Sequence, residues 1–176
     1  MTHPVIPIAA LGLALFAGGV RAQTLPTPPN VPPNVPFDAT LMTLPVATQL
    51  VEASIAACEA KGEHPSALVM DADGNLRALM SADGGSSIGL YSSQHKARTV
   101  LDFKMSTRDA MTRLQSDKAF EDKYGKDERY FFHPGALPLY RGGKLVAVLA
   151  VGGGHQIDED CAKDALAKVG GFTTAP

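Results

Sequence analysis

The sequence predicts an α/β protein of the α+β type, with an antiparallel five-stranded sheet flanked by helices on both faces. Three observations carry this. Val46, Leu50, Val51, Ile55 and Cys58 recur at spacings of three and four, the period of an amphipathic helix. Two pairs of apolar runs are each joined by a short glycine-containing turn, Asp71–Asn75 and Arg141–Gly143, which marks β-hairpins. The run Val146–Val151 is apolar without interruption, as expected of a central strand covered on both faces.

The chain opens on a targeting pattern. Residues 5–19 (VIPIAALGLALFAGG) carry no charge, and Val20-Arg21-Ala22 precedes Gln23 with small or β-branched side chains where a signal peptidase looks. Residues 1–22 therefore read as a signal peptide cut after Ala22, although its first four residues hold no Lys or Arg. The apolar run is shorter than the roughly 20 residues of a membrane span, so no stable membrane insertion is expected after cleavage. The expected location is periplasmic or secreted. Residues 23–43 form a Pro-rich arm, with six prolines between Gln23 and Phe37 that favour extended polyproline backbone. The domain is expected over residues 44–171.

Within it, Pro45 suits the first turn of a helix that ends at Lys61-Gly62. Strands follow at Ser66–Met70 and Leu76–Met80. The loop Asp83–Ser87 ends on a serine placed to cap a helix over Ile88–Phe103, and Ser106 or Thr107 caps the next one. Lys118–Arg129 reads as a charged, mobile connection. Tyr130–His133, Leu137–Tyr140 and Lys144–Val151 are three further strands. After Gly152-Gly153-Gly154, a last helix over Glu159–Val169 closes at Gly170-Gly171.

Composition narrows the function. Loss of Arg21 with the leader takes the formal charge from −2 to −3. An acidic chain without a dense basic block is no candidate for nucleic acid, which demands clustered Lys and Arg. Cys58 and Cys161 are the two cysteines. Export would take them to an oxidising compartment, where they form either a disulfide between the first and last helices or two buried thiols. Gly152–His155, between a buried strand and a helix, offers backbone N–H groups to an anion. It matches neither phosphate-loop pattern, and the helix it leads into starts with acids. Asp71–Asn75 resembles half a calcium loop, but Ala82 stands where the twelfth-position glutamate belongs. The histidines His64, His95, His133 and His155 form no i, i+4 pair, so no zinc helix is indicated; a single one could serve as an axial haem ligand. Lys96, Arg98, Lys104, Arg108 and Arg113 are either solvated charges or a clamp for an anionic ligand.

Five segments in order are similar to one family. Residues 67–77 (ALVMDADGNLR) resemble the VVDxxGxLxA hairpin of the GlcG/HbpS family, and residues 94–99 (QHKART) resemble its xxKAxTA helix. Ser106–Asp109 resembles its PTxxL helix start with Ser in place of Pro. Gly135–Leu139 and Gly142–Val146 resemble its GGxPLxxxGxxVGAIGVSG ending, and the helix at Asp158–Asp160 resembles its xxDExxAxxAL terminus.

The resemblance implies a profilin-like sheet, a homo-oligomer (an octamer in many members) and a small-molecule ligand, haem. It implies that Thr107 meets the iron; among the histidines, His95 is the other candidate donor. Lys96, Arg98 or Arg108 would pair the propionates, Phe103, Met105, Met111 and Leu114 would line the slot, and His155 is a further binding candidate. The acidic pair with which relatives hold surface iron falls near Tyr91 and Gln94, which cannot serve. In place of the family's GVSG, Ala150–Gly154 lacks a serine hydroxyl. Two other readings stay open: an enzyme or binding protein for a small organic acid, held by His155 and Arg98, and a structural accessory to a periplasmic partner.

Overall fold

The structure, a computed structural model, describes residues 42–176. The expected leader, and all but the last two residues of the Pro-rich arm, lie outside the described residues. The elements run α1 (Leu44–Glu59), β1 (Ser66–Asp71), β2 (Leu76–Ser81), α2 (Ser87–Phe103), α3 (Thr107–Ser116), α4 (Lys118–Tyr124), β3 (Ala136–Arg141), β4 (Lys144–Gly152) and α5 (Asp158–Val169). A single 3₁₀ turn, His155–Ile157, leads into α5.

The sheet is antiparallel in the order β2-β1-β4-β3. Its two central strands place alternate side chains on opposite faces, as the pleat requires. Ala67, Val69, Ala147, Leu149 and Val151 pack with Leu50 and Val51 of α1 and Cys161 and Ala162 of α5. Leu68, Val148 and Ala150 pack with Ala97, Val100 and Leu101 of α2 on the other face. The uninterrupted apolar run of β4 thus serves two cores, and helices flank both faces as expected. Met42, from the end of the arm, is 1% exposed and joins the first core. The Cys58 and Cys161 sulfurs are bonded, with Cα atoms 5.4 Å apart, and tie α1 to α5.

The sheet has four strands among the described residues, not five. Tyr130–His133 joins no ladder: the Phe131 N–H donates to Thr99 Oγ1 (2.9 Å), and the rings of Tyr130 and Phe132 pack around Phe103. Pro134 then denies the segment a further backbone donor. The connection Lys118–Arg129 also differs from expectation, because α4 occupies its first half. Asp117 caps α4 by accepting the Phe120 N–H (3.0 Å), and Phe120 and Tyr124 dock on Phe103. Ser86, one residue earlier than expected, caps α2.

Candidate functional site

Glycines build the site by letting α2 press onto the end of β4. A Cβ added at Gly152 would fall 2.2 Å from Ser92 Oγ and 2.6 Å from the Gly89 carbonyl oxygen, and one at Gly153 would fall 2.9 Å from Gly89 Cα. No side chain fits there. The close crossing carries Lys96, one turn beyond Ser92, over the strand end.

Lys96 is 2% exposed, as are Asp158 and Glu159. Its ammonium donates to Asp158 Oδ2 (2.5 Å) and to the Val151 carbonyl oxygen (3.1 Å). The Gly154 N–H donates to the other oxygen of Asp158 (2.7 Å). This carboxylate also opens α5, where the helix end favours negative charge. Burial pushes the Lys96 pKa below its ordinary value, and the charge and hydrogen bond of Asp158 oppose that shift. Gly135 closes the arrangement: its φ is +145°, and a Cβ there would sit 2.6 Å from Lys96 Nζ. Beside this pair, Arg108 Nε donates to both oxygens of Glu159 (2.9 and 3.0 Å). That hydrogen bond, then the Glu159 charge, raises the Arg108 pKa. Lys163 Nζ approaches the same carboxylate at 2.5 Å.

Of these groups, Lys96, Asp158 and Arg108 line a cavity of about 650 Å³ between α2, the start of α3, the 131–134 segment and the β4–α5 turn. That volume is within the range of cofactor pockets. Ile88, Met111, Phe131 and Pro134 supply apolar wall; Lys96, Arg108, His133 and His155 supply nitrogen. His155 has φ +56° and reaches out to Glu63, with Nδ1 3.0 Å from Oε2. Among the described residues, no cluster of three or more His, Cys, Asp or Glu is placed to hold a bare metal ion. No described helix is long and apolar enough to cross a membrane.

The structure therefore brings together Lys96, Arg108, Met111 and His155, with His133 beside them, of the residues singled out in the sequence. It does not bring in Thr107, His95, Arg98 or Phe103. Thr107 is fully buried, and its Oγ1 accepts the Ala136 N–H (3.0 Å), tying α3 to β3. His95 stacks on Tyr91 with ring centroids 3.8 Å apart, in a separate shallow depression with Arg98 and Arg129. Arg98 pairs with Asp102 (3.0 Å). Phe103 is the centre of the aromatic cluster formed with Phe120, Tyr124, Tyr130 and Phe132. Met105 and Leu114 do not line the cavity either. Sequence reasoning missed Asp158 and Glu159 as partners. The signal was present, because Lys96 shares the buried stripe of α2 with Ser92 and Val100 at i±4, and a buried lysine demands a carboxylate.

Known proteins share this architecture. Crystalline HbpS superimposes with a TM-score of 0.66 at 28% identity, covering 76% of this chain and 94% of that one. A double mutant of Streptomyces reticuli HbpS gives 0.65 at 27% identity, covering 81% and 99%. PduOC, crystallised as a haem complex, gives 0.71 at 20% identity over 77% and 99%, a likeness of fold. No curated protein matches the sequence. The family model described as haem degrading protein HbpS-like matches residues 42–167, and with these motifs, this sheet and these helices the chain belongs to the HbpS-like family.

Proposed function

We propose that the chain is an exported haem-binding protein whose ligand occupies the cavity between α2, α3 and the β4–α5 turn. The observation that carries this reading is the composition of that cavity. It combines apolar walls, two imidazoles and a guanidinium, the three things an iron porphyrin needs. The residues fit the group: His133 or His155 would ligate the iron, and Ile88, Met111, Phe131 and Pro134 would cover the macrocycle. Arg108, held at Nε by Glu159, keeps both Nη groups without a partner among the described residues, and these would pair a propionate. Bound haem supplies redox and ligand-exchange chemistry at iron. The chain's own residues orient it, exclude water on the Phe131 side and balance its carboxylates.

The buried disulfide supports export, because such bonds persist in oxidising compartments. Ile88 and Tyr91, 71% and 47% exposed on one side of α2, support association of copies into a homo-oligomer. A haemin titration followed at the Soret band, with albumin as the non-specific control, tests the function. A saturable band near one haem per chain, weakened by His133→Ala or His155→Ala, is expected. A non-saturating response that parallels albumin overturns the reading.

A further inference from the structure

Haem binding leaves Lys96 without a task. The lysine is nearly inaccessible to bulk water, at 2% exposure, yet it lines the cavity. Two of its N–H donors are used, by Asp158 and by Val151. The third has no acceptor among the described residues, and the Phe131 ring has its centroid 5.9 Å from Nζ. Asp158, in contact with the amine, is itself fixed by the Gly154 N–H. A nitrogen nucleophile, a base within hydrogen-bond reach and a fixed orientation of that base are the elements of covalent catalysis by an amine.

We propose that Lys96 is a nucleophilic amine that condenses with small carbonyl compounds admitted to this cavity, with Asp158 as the acid–base partner. The exchange balances as follows. The Lys96 ammonium passes one proton to Asp158 Oδ2, and the neutral amine adds to the carbonyl carbon. The C–N bond forms as the π pair moves to oxygen. A proton from that nitrogen neutralises the alkoxide. Asp158 then returns its proton to the hydroxyl, which leaves with its bonding pair as water, while the nitrogen lone pair completes C=N. The product is an iminium beside the Asp158 carboxylate, with the same net charge as the resting ion pair.

Burial favours the step, since it disfavours the ammonium form that must lose its proton. Gly135 is part of the same device, because any side chain there would strike Nζ. In the haem-free chain, Arg108, on the same cavity wall with its Nη groups unpartnered among the described residues, selects a carbonyl compound that carries a carboxylate, which takes the place a haem propionate would otherwise fill. The substrate class is therefore a small 2-oxo acid in preference to a neutral aldehyde or ketone.

The test uses the whole chain with limiting pyruvate or propionaldehyde, sodium cyanoborohydride to reduce any imine, and peptide mapping by mass spectrometry. Labelling at Lys96 is expected to run about a hundred-fold faster than at exposed lysines, the scale a positioned acid–base group supplies. Measured against the rate of the same carbonyl at exposed lysines, the preference for Lys96 should be larger with pyruvate than with propionaldehyde, and Lys96→Arg should remove the fast label. Labelling confined to exposed lysines such as Lys61 and Lys118, with Lys96 unmodified, overturns the proposal. Equal Lys96-to-exposed-lysine rate ratios for the two carbonyls overturn the role given to Arg108. Mapping of the unsubstituted protein decides the matter even if Lys96→Arg fails to fold. The readout needs no haem, so its outcome is independent of the Soret titration.

Discussion

Replacing both Cys58 and Cys161 by alanine removes a cross-link whose effect follows from chain length. The bridge spans a sequence separation of 103 residues. Constraining a loop of that size in the unfolded ensemble contributes about 4.7 kcal/mol at 25 °C. Both cysteines are fully buried between α1 and α5, so the lost sulfur packing adds to the cost. Domains of this size have about 5–15 kcal/mol in all. The variant should therefore be marginal, and reduction of the unsubstituted protein should reproduce its behaviour. Equilibrium urea unfolding of the oxidised, reduced and Cys58→Ala/Cys161→Ala forms measures the difference. A loss smaller than about 1 kcal/mol in both perturbed forms would refute the loop argument. The effect should also reach the cavity, since a Cβ on Gly154 would lie 3.1 Å from Cys58 Sγ. The turn that orients Asp158 rests on the bridge.

Four other outcomes are expected. His95→Ala should leave the bound-haem spectrum unchanged, because His95 lies in a separate depression, whereas His133→Ala or His155→Ala should shift or weaken it in the Soret titration. Lys96→Met, which strands the Asp158 carboxylate, should cost about 3–5 kcal/mol in urea unfolding. In the window between the lowered Lys96 pKa and its ordinary value of 10.5, the unfolded chain binds a proton that the folded chain does not. Stability from this group therefore rises with pH there, and the unfolding midpoint of the parent should gain on that of Lys96→Met as pH increases. Gly135→Ala should destabilise by about 3 kcal/mol, through its positive φ and the clash with Nζ, read as a lowered unfolding midpoint.

Much of the fold was legible because its signals are local. The α1 periodicity, the two hairpin turns and the apolar run of β4 each express a period or a turn that neighbouring residues determine. Tyr130–His133 misled because aromatic and apolar residues in a short run suit a strand equally well when they pack on a helix. The partners that settle the matter, Thr99 and Phe103, are more than 25 residues away in sequence. The α4 helix was obscured by its charges, although Asp117 with Phe120 and Tyr124 carried a cap and an i, i+4 pair. Half of the candidate site was legible for similar reasons. Lys96, Arg108, Met111 and His155 sit on elements whose boundaries the sequence marks. Thr107 and His95 sit on those elements too, one facing β3 and the other the outer side of α2. Which way each points depends on the glycine contact between α2 and β4, which no single-residue pattern encodes.

The Cys58–Cys161 bond also turns most of the chain into a covalent ring. Among the described residues, all four strands, α2, α3 and every residue lining the cavity lie between the two cysteines in sequence. A protease that nicks the exposed stretch after α4 would open that ring without releasing a fragment, and both pieces would still share one sheet. A single cut there becomes a local defect rather than a loss of the molecule, for as long as the bridge remains oxidised.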